Sequence, residues 1–241
     1  MKKISLLRKI LTTLIATCLV VSSVRCLSSA PQDVFKQVVK LESSRGSCSG
    51  EQIKAKSGIT YILTAAHCRV LEENGSITVK AADGRSLQRR VIAIDKHSDL
   101  MLIEGIPGLE GLTIAKQSFA RDDIETYTHG SGYPSYKTEG TLIGNIEIEF
   151  PIDIIASEED EAKCSGSDIF KISEVNTIFG SVKVCMFKAI ETATTALIVP
   201  GSSGGAVVNK QHELVGVVSA GNDKFGFLVR LQDIQAFLAN Y

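Results

Sequence analysis

Three short segments of the chain carry residue types that together do nucleophilic chemistry. Leu63-Thr64-Ala65-Ala66-His67-Cys68 ends an apolar run on a histidine, Asp99-Leu100-Met101-Leu102-Ile103 opens one on an aspartate, and Pro200-Gly201-Ser202-Ser203-Gly204-Gly205-Ala206 sets a serine among glycines. A serine hydroxyl attacks poorly at neutral pH unless an imidazole takes its proton, and the imidazole needs a carboxylate to hold its tautomer. His67, Asp99 and Ser203 supply one of each. The glycines have a mechanical reason, because two backbone N–H groups must converge on the developing oxyanion through a tightly turned backbone. Gly201 and Ser203 are placed to donate them. Each segment alone has a plainer account: a core histidine, a strand-start cap, an ordinary Gly/Ser turn. In the order His, Asp, Ser, the catalytic reading outweighs all three.

These segments resemble those of the trypsin/chymotrypsin-type serine endopeptidases, over most of residues 47–238. Thr64-Ala65-Ala66-His67-Cys68 is similar to that family's histidine segment, Asp99-Leu100-Met101-Leu102 to its aspartate segment, and Gly201-Ser202-Ser203-Gly204-Gly205 to its nucleophile turn. Val215-Gly216-Val217-Val218-Ser219-Ala220-Gly221 resembles the strand along which substrate backbone pairs. Pro200, Gly132-Tyr133-Pro134 and Asn209–Gly216 resemble the bacterial branch that includes the HtrA proteases, although the length leaves no room for their PDZ domain. The resemblance implies an all-β fold of two six-stranded antiparallel barrels with a C-terminal helix. It also implies peptide hydrolysis through an acyl-enzyme, with no metal and no cofactor.

For specificity, the resemblance puts Leu197 at the pocket floor, six residues before the nucleophile, where a basic-residue-selective relative would carry an aspartate. Gly221 and Gly226 become open walls, and Ser219, Ala220 and Gly221 the substrate-binding strand. An apolar or small side chain before the cleaved bond follows, unless Asp223 turns inward. Val218 stands where glutamate-selective relatives often have a histidine. Residues 31–46 hold no Ile-Val-Gly-Gly-type sequence, so no activating cut at such a site is expected.

The elements that must position these groups read as short β-rich runs divided by turn residues: Thr60–Thr64, Ser76–Ala81, Arg90–Ile94, Met101–Ile103, Gly140–Glu149, Ser181–Phe187, Ala206–Asn209 and Glu213–Ser219. Leu231–Leu238 alone has a helical pattern, with Ile234, Phe237 and Leu238 on one face. The reading places a signal peptide at 1–30, a first barrel at about 31–116, a linker at 117–122, a second barrel at about 123–230 and the helix at about 231–239.

At 241 residues, 44% hydrophobic and 22% charged, the chain can bury the full core of one protease domain. Lys2, Lys3, Arg8 and Lys9 precede an uncharged stretch from Ile10 to Val24, short for a membrane span and suited to a signal-peptide core. Export to the periplasm or medium follows, with membrane contact only through an uncleaved leader. A lipid anchor at Cys18 or Cys26 would need a small residue where Thr17 and Arg25 stand. Without residues 1–30 the chain keeps 21 of its 26 basic residues and all 27 acidic ones, a net of −6. That balance speaks against a nucleic-acid partner and leaves protein or peptide substrate. The run Glu158-Glu159-Asp160-Glu161 reads as a solvated loop.

Cys48, Cys68, Cys164 and Cys185 form an even set that permits three pairings and fits an oxidising compartment. The resemblance selects Cys48 with Cys68, a bridge just after the histidine, leaving Cys164 with Cys185. No Cys-x-x-Cys or His-x-x-x-His supports a zinc site. Two other function classes carry the same serine. A catalytically silent module of this fold would lack a triad member, and none is missing. A serine esterase would set its Gly-x-Ser-x-Gly elbow between strand and helix, whereas Ser203 is followed by strand-like Ala206-Val207-Val208.

Overall fold

The structure, a computed structural model, describes residues 33–130, 135–155, 158, 161, 164, 170–177 and 180–241. The leader at 1–30 with Cys18 and Cys26, the Gly132-Tyr133-Pro134 segment, and Glu159 and Asp160 of the acidic run lie outside these residues.

The run Leu100-Met101-Leu102-Ile103 explains the first half. All four side chains are fully buried, and they alternate between two cores: Leu100 and Leu102 face the layer between the barrels, Met101 and Ile103 the first barrel's interior. A strand buried on both faces needs a continuous apolar run. The strands are β1 (Val38–Ser43), β2 (Gly46–Lys54), β3 (Thr60–Ala65), β4 (Ser76–Lys80), β5 (Ser86–Asp95) and β6 (Leu100–Glu104). They pair in the order β1-β2-β3-β6-β5-β4, and β4 returns to β1 to close the barrel. Closure removes the sheet edges that would invite strand addition.

The second half holds β7 (Asp123–Thr128), β8 (Tyr136–Ile154), β9 (Phe170–Thr177), β10 (Gly180–Thr194), β11 (Ala206–Val208), β12 (Leu214–Gly221) and β13 (Gly226–Arg230), ordered β13-β12-β11-β7-β8-β10-β9. Because β13 also pairs with β10, six of these strands form a ring. The two-barrel expectation is met with one addition: β9 hangs from β10 as a seventh strand. β8 and β10 run well beyond the stretches expected of them, over 19 and 15 residues.

The layer between the barrels draws Val38, Leu63, Leu100 and Leu102 from the first and Tyr127, Ala206, Val217 and Val229 from the second. The C-terminal helix, Leu231–Phe237 followed by a 3₁₀ turn at Leu238–Asn240, closes this layer with Ile234 and Leu238 buried and Phe237 half-buried. A one-turn helix, Val34–Gln37, precedes β1. No helix of the described residues is long and apolar enough to cross a membrane.

Candidate active site

β3 ends at Ala65 and the chain enters a 3₁₀ turn, Ala66–Leu71, which carries His67 out of the barrel wall. β5 and β6 are joined by a tight turn in which Asp95 Oδ1 accepts from the His97 and Ser98 amides. Asp95 therefore shapes the turn, while Asp99 at its end is 1% exposed. Asp99 has φ 52°, a left-handed conformation that aspartate tolerates better than most residues. It holds His67 at two points: Oδ2 lies 2.8 Å from the imidazole Nδ1, and Oδ1 accepts from the His67 amide at 2.9 Å. The Asp99 carbonyl also accepts from the Ala66 amide. Ring and backbone are fixed together, with the ring's other nitrogen facing away from Asp99.

The Gly201–Gly205 turn is pinned to the first barrel. Ser49 of β2 donates its amide to the Ser203 carbonyl at 2.8 Å and its hydroxyl to the Gly201 carbonyl at 3.0 Å, and that hydroxyl accepts from the His129 amide. Gly201 sits at φ 86°. Gly204, at φ 79°, passes so close to Thr64 Oγ1 and the Ser49 carbonyl that a Cβ there would collide with both. Ser202, fully buried, is tied to Tyr136 Oη at 2.5 Å and Thr128 Oγ1 at 3.2 Å, a neutral hydroxyl anchor one residue before Ser203. The Gly201 and Ser203 amides donate to no backbone carbonyl among the described residues.

The Ser203 hydroxyl donates to the Ser219 carbonyl at 3.2 Å rather than to the His67 ring, and the Ser219 hydroxyl donates to Asp99 Oδ2 at 3.2 Å. Ser219 thus links the serine to the carboxylate. The Cys48–Cys68 disulfide joins β2 to the histidine turn, and Cys68 Sγ lies 3.8 Å from the Ser203 carbonyl. The second bridge joins Cys164 to Cys185 of β10.

Burial pushes the His67 imidazole down, but the Asp99 charge and hydrogen bond, with Glu191 farther off, outweigh it and raise its pKa above the ordinary 6.5. Glu191 of β10 was not singled out by the sequence. It is 2% exposed, its Oε2 has no partner, and burial, with the Asp99 charge adding, raises its pKa to about 8.

The pocket expectation needs one correction. Leu197 is 61% exposed and cannot floor a pocket; its carbonyl accepts from Thr138 Oγ1, and the side chain faces solvent. Ile198 takes the space between the glycine walls. A Cβ on Gly221 would stand 2.7 Å from Ile198 Cβ, and one on Gly226 2.5 Å from Ile198 Cγ1. The reason is parity in the loop before the turn, which puts one residue's side chain inward and its neighbour's outward. Asp223 is exposed and Val218 is buried. Among the described residues no cluster of His, Cys, Asp and Glu could hold a metal ion.

Residues 48–217 match the family model described as Trypsin-like peptidase domain. No curated protein matches the chain. Among solved structures, the active form of the Rv3671c protease from M. tuberculosis aligns with a TM-score of 0.62 at 19% identity, over 86% of this chain and 81% of that one. Its inactive form aligns at 0.60 and 18%, over 86% and 89%. A serine endoprotease from Yersinia pestis aligns at 0.58 and 18% identity, over 86% of this chain and 63% of that one. At these identities the structural likeness bears on the fold alone.

Proposed function

The chain belongs to the trypsin-like peptidase domain family and is by that membership a serine endopeptidase; on this premise we propose that it cleaves peptide bonds with Ser203 as nucleophile, His67 as base and then acid, and Asp99 as orienting carboxylate. The observation that carries the assignment is the double hold of Asp99 on His67, at the ring and at the backbone. It fixes the Nδ1–H tautomer and leaves the other nitrogen free to take a proton.

The Ser219 carbonyl that now accepts from Ser203 belongs to the strand proposed to pair with substrate. A substrate amide that takes this carbonyl frees the hydroxyl, which rotates to His67 and attacks the scissile carbonyl. The proton passes to His67 Nε2, and the oxyanion is met by the Gly201 and Ser203 amides. His67 then gives the proton to the leaving amine, and water, deprotonated by His67 in turn, hydrolyses the acyl-enzyme. The neutral Ser202 anchor supports a nucleophile turn that needs no newly freed N-terminus.

Ile198 between Gly221 and Gly226 supports a shallow apolar pocket that takes small apolar side chains. A buried cationic side chain would find no partner charge there. The two disulfides support an oxidising compartment, so the leader at 1–30 is proposed to export the chain. Treatment with a fluorophosphonate probe followed by mass spectrometry tests the assignment. Covalent labelling at Ser203 is expected, and an unlabelled Ser203 in folded protein would overturn it.

A further inference from the structure

We propose that Tyr136 is a positioning residue for the oxyanion donors: its bond to the Ser202 hydroxyl braces the turn that aims the Gly201 amide. The inference rests on the triad reading above, which makes the Gly201 and Ser203 amides the groups that meet the developing charge. Such donors act only if they are fixed before the reaction begins. For Ser203 the backbone suffices. The Ser202 carbonyl, in the same peptide plane as the Ser203 amide and opposite to it, accepts from the Gly205 amide at 2.9 Å. The Gly201 amide belongs instead to the Pro200–Gly201 peptide, whose carbonyl accepts from no backbone amide among the described residues. Gly201, at φ 86° and without a Cβ, adds little stiffness of its own.

Ser202 supplies the missing hold. Its amide donates to the Val199 carbonyl at 3.0 Å and its hydroxyl accepts from the Val199 amide at 3.4 Å, so backbone and side chain together close the Val199-Pro200-Gly201-Ser202 turn. That hydroxyl must itself be held. Tyr136, where β8 starts, and Thr128, where β7 ends, face each other across the ladder and bring their hydroxyls to Ser202 Oγ at 2.5 and 3.2 Å. The phenol is the most acidic of the three hydroxyls, so Tyr136 donates to Ser202, and Ser202 gives its single hydrogen to Thr128. With the Val199 amide on the second lone pair, every bond the Ser202 hydroxyl can make is used. Gly130 keeps the room for this: a Cβ there would stand 2.7 Å from Ser202 Oγ, Tyr136 Oη and Val199 Cγ2 alike. Ser202 and Thr128 are buried, so water does not readily replace a bond that Tyr136 gives up.

Tyr136→Phe removes the donor and keeps the ring. The rate of Ser203 labelling by a fluorophosphonate, whose phosphoryl oxygen stands where the oxyanion would, reads the donors without a known substrate. Measured well below the melting temperature of each protein, it is expected to fall about tenfold in Tyr136→Phe, less than the ~10²-fold or more that outright loss of an oxyanion donor costs. The acid limb of the pH profile, which His67 sets, should keep its midpoint. Tyr127→Phe removes a comparable phenol bond on β7, to Glu125 Oε2 at 2.6 Å and away from the turn, and should label at the native rate. Ser202→Ala should lose at least as much as Tyr136→Phe, and the double variant no more than the larger loss, because the two side chains act through one bond. A native rate in Tyr136→Phe, a displaced acid limb, an equal loss in Tyr127→Phe, or losses that multiply in the double variant would overturn the proposal and leave the triad reading standing. If Tyr136→Phe does not fold, a native rate in Ser202→Ala overturns it. Native protein whose Ser203 never labels would overturn both.

Discussion

The two barrels carry one disulfide each, and the bridges span nearly equal separations, 20 residues for Cys48–Cys68 and 21 for Cys164–Cys185. Chain entropy therefore assigns them nearly equal stabilisation, about 3 kcal/mol apiece. Their surroundings differ. Cys68 follows the histidine, packs in the first barrel's interior and lies against the Ser203 carbonyl. Cys185 sits where β10 pairs with β8 and β9, on the long-stranded extension of the second barrel. Equal contributions through the unfolded chain thus accompany unequal consequences for the site. A crosslink's worth to activity is decided by what its sulfur atoms touch.

The upper limit for any such comparison is loss of the proposed nucleophile itself. Ser203→Ala should lower peptide hydrolysis by at least about 10³-fold, as expected for a group that acts with its partners as a unit, while the melting temperature stays near native because only one half-buried hydroxyl is removed. Measurable casein cleavage by the purified variant at near-native rates would break the assignment of the first barrel's His67 and the second barrel's Ser203 to one machine.

Removing each bridge tests the contrast directly. Cys48→Ser and Cys164→Ser should each cost about 2–5 kcal/mol. At a temperature where both variants remain folded, only Cys48→Ser should also lose activity, because it loosens the turn bearing His67 and the carbonyl of Ser203. Melting curves and hydrolysis rates on the same samples decide it. Equal activity losses would mean that the bridges act only through global stability.

What the sequence made legible follows the same division. β6 was readable because a strand buried on both faces must be apolar throughout, and the C-terminal helix because Ile234 and Leu238 recur on one face. β2 was not singled out: Gly46–Lys54 shows no apolar alternation, since Ser49 and Gly50 lie where the nucleophile turn and β3 approach too closely for large side chains. Glu191 was hidden by misleading parity. In Lys188-Ala189-Ile190-Glu191-Thr192-Ala193 the isoleucine looks like the inward residue, yet Ile190 is 51% exposed and Glu191 is buried. The His67, Asp99 and Ser203 segments stood out because the proposed chemistry calls for these residue types, and the structure brings His67 and Asp99 into direct contact. The pocket was not, because which side chain of a loop turns inward depends on tertiary contacts such as Thr138 with the Leu197 carbonyl.

Substrate selection in the second barrel should respond to Ile198. Ile198→Ala opens the space between Gly221 and Gly226 and should raise cleavage after larger apolar residues relative to small ones by about tenfold, the range expected for one or two methylenes. A positional peptide library read by cleavage-site sequencing measures the ratio. An unchanged profile in Ile198→Ala alongside an altered one in Leu197→Ala would restore Leu197 to the pocket.

The smallest effect sharpens the comparison through a second pair, the buried acids. Glu51 of β2 is fully buried with neither carboxylate oxygen partnered, and burial raises its pKa well above the ordinary 4.5. Unlike Glu191, whose pKa is raised by the Asp99 charge as well as by burial, it is shifted by burial alone, so its protonation bears on stability alone. With a native pKa above the unfolded value, the folded chain binds the extra proton. Stability is therefore highest below about pH 4.5 for this group and declines as pH rises toward the native pKa. Glu51→Met, which removes the charge at similar volume, should raise the melting temperature by several degrees near pH 8 and by less near pH 5. Melting curves at the two pH values check it, and a Glu51→Met protein no more stable than native protein at pH 8 would show that burial of this acid costs the fold nothing.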